Sequence, residues 1–550
     1  MKRLQSLFAN SYFCIFTLIL ALCCALPVNA QRRNNDDPSG VDIEMIRKLQ
    51  IAQLAITQLY VDSVDQNKIA EDAINGILEK LDPHSSYTNA EETKKLNEPL
   101  EGNFEGVGIS YNILEDTVVV VQTVSKGPCE KAGIIAGDRV VTVDDSTIAG
   151  VKISRDAVMK LLRGPKDTKV KLGIKRIGNR DLIYFTIKRD KIPVNTLGAS
   201  YMIAPGIGYI QLDRFGATSG DEVKEAIKNL KKEGMKSLIF DLENNGGGYL
   251  GAASDIANQF LSRGDLVVYT EGRAAPKQVF RAEGGGLFQE GNLVILVNEN
   301  TASAAEIVSG AIQDHDRGTI IGRRTFGKGL VQRPIDLPDG SMIRLTVSHY
   351  FTPSGRCIQK PYVKGQKQDY QNDLNNRYYH GELCNIDSIH LDSTKVYRTL
   401  GTGRIVYGGG GIMPDVFVPL DTTTFTKFYQ DIRRLNLINS TSLKYVDRER
   451  QNLKKQYKKF EDFAANYVVP QELIDQIIAE AAEKDVKPKD DEELQATIPD
   501  LNFILKALVA YDIWDRNEYF RIINERSDTV KRALEFLAAS DPQTSEKTKK

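Results

Sequence analysis

The chain has 550 residues, 41% hydrophobic and 26% charged, with 72 Lys and Arg set against 73 Asp and Glu. That length exceeds one hydrophobic core and predicts roughly two to four domains. The near-zero balance of charge offers no field for nucleic acid or acidic lipid, and the apolar share excludes a chain disordered throughout.

Residues 1–30 read as a separate piece. Lys2 and Arg3 precede an uncharged run over 13–26, and Val28-Asn29-Ala30 supplies small residues at the spacing of a signal-peptidase site. The run is shorter than the roughly 20 residues a spanning helix needs. A cleaved export signal is therefore predicted, which places the protein in the periplasm or cell envelope, or outside the cell. An uncleaved anchor is the alternative; a lipoprotein is disfavoured by Leu22 before Cys23. With the signal gone, Cys129, Cys357 and Cys384 remain. Three cysteines cannot all pair, and a 357–384 bridge is the one candidate. The chain has only 5 histidines and neither a Cys-x-x-Cys nor a His-Glu-x-x-His pattern. No metal and no other cofactor is expected.

After a polar linker over 31–40, residues 41–95 carry helical periodicity. Ile46, Leu49, Ala52, Leu54, Ile56 and Leu59 favour one side of a helix, and Ile69, Ala73, Ile77 and Leu78 repeat the pattern until Asp82-Pro83 stops it. These stripes read as packing surfaces. Over 100–190 the period falls to two: Val118 and Val120 alternate with Val119 and Val121, and Val170, Leu172 and Ile174 share a face. With a short helix near 154–163, this describes a compact β-rich module. Over 191–425 apolar strands alternate with helices, the pattern of an α/β layered core. A polar stretch at about 360–400 reads as an insertion or long loop. Residues 426–540 are again helical, with alternating charges that read as solvated faces, and 541–550 look disordered. The fold class is α/β multidomain.

Three segments carry chemistry. In the β-rich module, Pro128, Ala132-Gly133 and Gly137-Asp138-Arg139-Val140 mark a short helix, a turn and a strand, while Glu105-Gly106-Val107-Gly108-Ile109 is a glycine-bearing loop whose amides suit a carboxylate. In the core, a strand runs into Asn244-Asn245-Gly246-Gly247-Gly248 and then a helix, a turn suited to a phosphate or an oxyanion. A second buried strand exits through Thr301-Ala302-Ser303-Ala304-Ala305-Glu306. Small residues around Ser303 at a helix start leave room for a substrate carbonyl. The plainer reading is a capping box, Ser303 with Glu306.

A nucleophilic serine needs a base. His315 lies three turns along the same helix, roughly 18 Å away at 1.5 Å per residue. His84 looks like a turn residue, His380 and His390 fall in the polar insertion, and His349 in a strand lacks an orienting acid. Lys328, in Phe326-Gly327-Lys328-Gly329-Leu330-Val331-Gln332, is the alternative. In a strand Lys328 and Gln332 share a face, burial would favour the neutral amine, and Gln332 could accept its hydrogen bond. The run from Gly322 to Lys328 mimics a phosphate loop, but Gly329 stands where Ser or Thr would hold a metal.

These motifs, with Leu81-Asp82-Pro83-His84-Ser85-Ser86-Tyr87-Thr88 ahead of the β-rich module and Gly411-Ile412-Met413-Pro414-Asp415 behind, occur in the order found in the C-terminal processing peptidases, or tail-specific proteases, which the chain resembles over about 41–425. The resemblance implies a PDZ domain at 100–190, whose loop Gly106, Val107, Gly108 and Ile109 receives a substrate C-terminus. It implies Ser303 as nucleophile, Lys328 as general base and Gln332 positioning it. Amides of Gly246, Gly247 and Ala304 are the implied oxyanion hole. The expected activity is that of a serine endopeptidase cutting proteins near their C-terminal tails. Glu243 stands where that family has Arg, and Ala305 where a second Ser is frequent. Two rivals stay open: an inactive PDZ-bearing adaptor or scaffold, and a hydrolase using His349. The expected partners are protein or peptide substrates and no nucleic acid; the helical terminal regions are candidate homodimer or adaptor surfaces.

Overall fold

The computed structural model describes residues 43–422 and 425–539. The export signal, the linker and the tail at 541–550 lie outside the described residues. The chain divides into two compact units, one ending at Ile74 and one beginning at Asn75. In the first, the helix Ile43–Leu59 buries none of its side chains, so its apolar stripe, expected to be a packing surface, stands exposed.

The second unit contains the PDZ domain. Strands Ile109–Leu114, Thr117–Thr123, Arg139–Val143, Lys169–Lys175 and Ile183–Lys188 pair in that order, all antiparallel. Helices Pro128–Ala132 and Arg155–Leu162 flank them. Val118, Val120, Val140, Val170, Leu172 and Ile174 form one buried cluster with Val158 and Leu162 of the second helix, so the face expected to be shared by Val170, Leu172 and Ile174 is the inward one.

The core sheet has six strands in the order Leu197–Ala204, Ile207–Leu212, Ser237–Asp241, Asn292–Val297, Thr319–Gly322 and Val416–Phe417. The first pair is antiparallel and the rest run parallel. Parallel strands are apolar on both sides because both faces are covered. Ile210, Phe240, Ile295 and Ile320 face helices Ser219–Lys232, Leu250–Ala257 and Ala304–Asp314. Their neighbours Tyr209, Ile239, Leu296 and Ile321 face the other way, against Val530, Ala533 and Leu537 of the helix Asp528–Ala539. The last helix among the described residues thus closes the second face of the sheet, while the helices before it have a core of their own around Ile432, Val446, Phe463, Ile477 and Leu505.

The stretch at 360–400 is not a loose loop. It contains the helix Lys367–Tyr379, with Tyr370 and Arg377 buried. Cys129, Cys357 and Cys384 are all free thiols, so the candidate 357–384 bridge is absent. Among the described residues no helix is long and apolar enough to cross a membrane.

Candidate active site

Ser303 caps the helix Ala304–Asp314 at the exit of the strand Asn292–Val297, with φ +58° and ψ −115°. Positive φ at a non-glycine residue is strained, and surrounding contacts must hold it. Two of them tie Ser303 to Lys328. Glu306, one turn into the helix, is fully buried. Its Oε2 accepts the N–H of Ser303 at 2.8 Å and the N–H of Lys328 at 2.9 Å. Its Oε1 accepts Gly327 N–H at 2.8 Å and Thr325 Oγ1 at 2.6 Å. On the other side, the buried Tyr350 hydroxyl lies 3.1 Å from the Ser303 carbonyl and 2.7 Å from that of Lys328. One carboxylate and one phenol therefore fix both backbones.

The capping reading of Glu306 is half the story. The carboxylate does reach back to the Ser303 amide, but the same group also organises the lysine loop. Burial pushes its pKa up to about 7, against which the four donors pull down. Four donors suit the ionised form, since a protonated carboxyl would have to aim a hydrogen at one of them.

Lys328 lies at the mouth of the strand Leu330–Asp336. Its Nζ donates to Gln332 Oε1 at 2.9 Å and makes no hydrogen bond to the Ser303 hydroxyl. Gln332 is itself oriented, because its Nε2 donates to the His84 carbonyl at 2.6 Å. Burial pushes the Lys328 pKa below the ordinary lysine value, Arg344 adds to this, and Glu306 and Asp82 oppose it. Asp82 holds the segment that supplies that carbonyl: it accepts from the amides of His84 and Ser85, both at 2.9 Å, and from the Ser85 and Thr346 hydroxyls. An Asp-Pro-His-Ser run is an Asx-turn signal, and it could have flagged this support.

Ser303, Lys328, Gln332, Gly246, Gly247, Ala304 and Tyr350 line one cavity of about 500 Å³. Gly247 sits hard against the serine: at φ +94°, a Cβ there would lie 2.8 Å from Ser303 Cβ and 2.9 Å from Ala304 N. Its amide, however, donates to Asn245 Oδ1 at 2.8 Å and is not free for an oxyanion in this arrangement. Of the three expected donors, the amides of Gly246 and Ala304 have no hydrogen-bond partner among the described residues.

The histidines are accounted for by strand parity and by partners. His349 neighbours Tyr350 in the strand Met342–Phe351, so its ring turns away from the cavity, and it is exposed. His315 Nε2 lies 2.8 Å from the Leu266 carbonyl. His84 touches the site through its carbonyl alone. Glu243, where the resemblance expects Arg, is half-buried beside Asp241 and accepts from Thr529 Oγ1 at 2.9 Å.

The PDZ groove lies elsewhere in the unit. Among the described residues Ile109–Leu114 is an edge strand, paired only with Thr117–Thr123. The Val107 carbonyl accepts from Cys129 N–H at 3.1 Å and the Gly108 carbonyl from Val124 N–H at 3.0 Å. Since C=O and the following N–H are antiparallel across a trans peptide, the amides of Gly108 and Ile109 turn outward. They open on a cavity of about 380 Å³ lined by Phe104, Val107, Ile109, Met159, Leu162 and Arg163, among others.

Comparison with known proteins agrees with this layout. The model for peptidase family S41 matches residues 206–371, that for the PDZ domain 106–188, and that for the activating protease CtpB N-terminal domain 25–93. A family of unknown function matches 428–515. The chain is 36% identical over 366 residues to the carboxy-terminal processing protease CtpA of Bacillus subtilis, spanning 65% of this chain and 74% of that protein. It is 36% identical over 343 residues to a carboxy-terminal-processing protease of Bartonella bacilliformis, spanning 62% and 78%. Among solved structures, a photosystem II D1 C-terminal processing protease shares 28% identity over 69% of this chain and 94% of its own, with a TM-score of 0.34. A serine peptidase with an internal PDZ domain is the class that these matches define. The chain belongs to peptidase family S41, among the carboxy-terminal processing proteases.

Proposed function

We propose that this peptidase cleaves exported or envelope proteins near their C-terminal tails through a Ser303–Lys328 dyad. The carrying observation is the shared clamp: Glu306 Oε2 accepts the amides of both residues, so hydroxyl and amine are delivered to one cavity. The neutral Lys328 amine takes the proton from the Ser303 hydroxyl as its oxygen attacks the scissile carbonyl. The amides of Gly246 and Ala304 stabilise the oxyanion, and the Lys328 ammonium then protonates the leaving amine. Water hydrolyses the acyl-enzyme by the reverse sequence. The Ser303–Lys328 hydrogen bond forms as substrate closes the cavity, since catalytic hydrogen bonds often tighten only in the loaded enzyme.

The PDZ groove takes the substrate's C-terminus, its carboxylate on the Gly108 and Ile109 amides and its chain added as a strand along Ile109–Leu114. The apolar lining favours an apolar last residue. Export is supported by the basic start, short apolar run and small-residue site in the first thirty residues.

The test is digestion of a protein with an apolar tail, fragments read by mass spectrometry. Ser303→Ala and Lys328→Ala are each expected to lower kcat by about 10⁴ or more, in line with losses seen when a nucleophile or its base is removed. His349→Ala should stay within about twofold, as for an exposed residue outside the site. Persistent cleavage by both purified site variants would refute the dyad; loss in His349→Ala with Lys328→Ala spared would move the base to the histidine.

A further inference from the structure

The helix Lys367–Tyr379 reaches the catalytic lysine from outside the cavity, through His84. Tyr370 is buried, and its hydroxyl lies 2.9 Å from His84 Nε2. The same oxygen accepts from Gln359 Nε2 at 3.2 Å. The Gln359 amide is oriented by its other contacts: Oε1 accepts Gly329 N–H at 2.9 Å, and Nε2 donates to the Lys360 carbonyl at 2.8 Å. Because Gln359 points its NH₂ at the phenol, the phenol's single hydrogen is free for His84 Nε2, and only with that nitrogen accepting does the buried hydroxyl use it. The ring is then the neutral tautomer carrying its hydrogen on Nδ1.

The surroundings agree with a neutral ring. Burial pushes the His84 pKa down to about 3, with Lys328, Lys360 and Lys367 adding to burial and Asp82 opposing. Phe326 and Tyr370 stand edge-on to the ring, with centroids at 6.5 and 5.1 Å. The Lys360 ammonium, paired with Asp373 at 2.7 Å, lies 4.1 Å from the centroids of both aromatic rings. His84 is thus held at its amide by Asp82 and at its ring by Tyr370, leaving its carbonyl to act on Gln332. The ring does not line the cavity that holds Ser303.

We propose that Tyr370 and His84 are positioning residues for the general base: the tyrosine hydroxyl locks the histidine ring, the locked residue presents its carbonyl to Gln332, and Gln332 aims the Lys328 amine. This rests on the Ser303–Lys328 reading. It gives the insertion helix a part in catalysis, exerted through three hydrogen bonds in series.

The test compares the full-length enzyme with Tyr370→Phe, Tyr370→Ala and Lys328→Ala on a short internally quenched peptide, alongside ¹⁵N-imidazole spectra assigned with a His84→Gln variant. Tyr370→Phe keeps the ring packing and removes only the lock. It is expected to lower kcat about tenfold, the factor one hydrogen bond is worth, with KM within about twofold. In the parent, His84 should show the Nδ1–H tautomer from about pH 5 to 8, and in Tyr370→Phe it should mix tautomers or begin to titrate in that range. Parental kcat and an unchanged His84 signal in Tyr370→Phe, with only Tyr370→Ala impaired, would reduce Tyr370 to packing and overturn the proposal. Activity surviving in Lys328→Ala would overturn the dyad itself; the tautomer is read without turnover, so the two failures are distinguishable.

Discussion

Around Ser303 the side chains of Glu306 and Lys328 are already hydrogen-bonded within the protein, whereas the strand Ile109–Leu114 leaves one edge of its backbone open. In the cleft that holds Ser303, Glu306 holds four donors, Lys328 holds Gln332, and Gln332 holds His84. In the PDZ groove the edge strand and the outward amides of Gly108 and Ile109 are left open above an apolar floor. The difference follows from what each cleft must do. Catalysis needs groups fixed before the substrate arrives, because reorganisation at the moment of reaction costs rate. Strand addition needs unmet hydrogen-bonding capacity, because the incoming chain supplies the other half. Substitutions in the first cleft should therefore act on kcat for every substrate, and in the second on KM for tailed substrates alone.

The largest effect after loss of the dyad itself is expected at Glu306. Glu306→Gln keeps the shape but places an NH₂ where an oxygen accepted two donors, so kcat should fall by about 100-fold, typical of misaligned catalytic groups. Its pH profile carries the sharper information. Glu306 raises the Lys328 pKa, opposing burial. The base acts when neutral, so activity rises with pH through that pKa; removing the carboxylate lowers the pKa and moves the acid limb to lower pH. A reduced plateau with an unmoved limb would mean that Glu306 serves the fold alone.

Gly247→Ala comes next. Its Cβ would stand 2.8 Å from the Ala302 carbonyl and from Ser303 Cβ, at a φ of +94° that disfavours alanine. The nucleophile turn must shift by several tenths of an ångström, and kcat should drop about tenfold or more, with KM little changed. Equal losses in kcat for short and tailed substrates check that the damage lies in the catalytic cleft.

In the PDZ groove, Gly108→Val forces a branched residue into φ +77° with its Cβ 3.0 Å from Ile192 Cδ1. KM for a tailed protein should rise about tenfold, near the worth of one or two hydrogen bonds to a carboxylate, while a short peptide is cut as before. Equal damage to both substrates would break the contrast between the two clefts.

What could be read in the sequence follows the same division. Alternation put Val170, Leu172 and Ile174 on one face, because strand parity is local. Ser303, Lys328 and Gln332 stood out because their settings, alanines around the serine and glycines around the lysine, lie within a few residues. The supports did not, since each is a long-range contact: Tyr370 meets His84 across 286 residues, and Tyr350 meets Ser303 across 47. The helix Lys367–Tyr379 escaped notice because its tyrosines, asparagines and charges show no apolar period. The helix Asp528–Ala539 was visible as a helix, but its place on the sheet depends on a face 200 residues and more upstream.

That last helix also offers the smallest and most specific prediction. Glu243, standing where the resemblance expects Arg, is half-buried beside Asp241, accepts a hydrogen bond from Thr529 and is offset by Arg323. Burial first, and then Asp241, push its pKa up to about 8. A carboxyl raised in the fold keeps its proton there while the unfolded chain gives its own up above about 4.5. Stability tied to this group is thus present at low pH and lost as pH rises from about 4.5 through 8. Glu243→Gln removes the penalty without changing the shape. Its Tm should match the parent near pH 4.5 and exceed it by roughly 1–2 °C at pH 8.5, a modest shift for a unit of this size. Activity should stay within about twofold, since Glu243 does not line the cavity that holds Ser303. A Tm gain equal at both pH values would mean that the carboxyl keeps its ordinary titration in the fold.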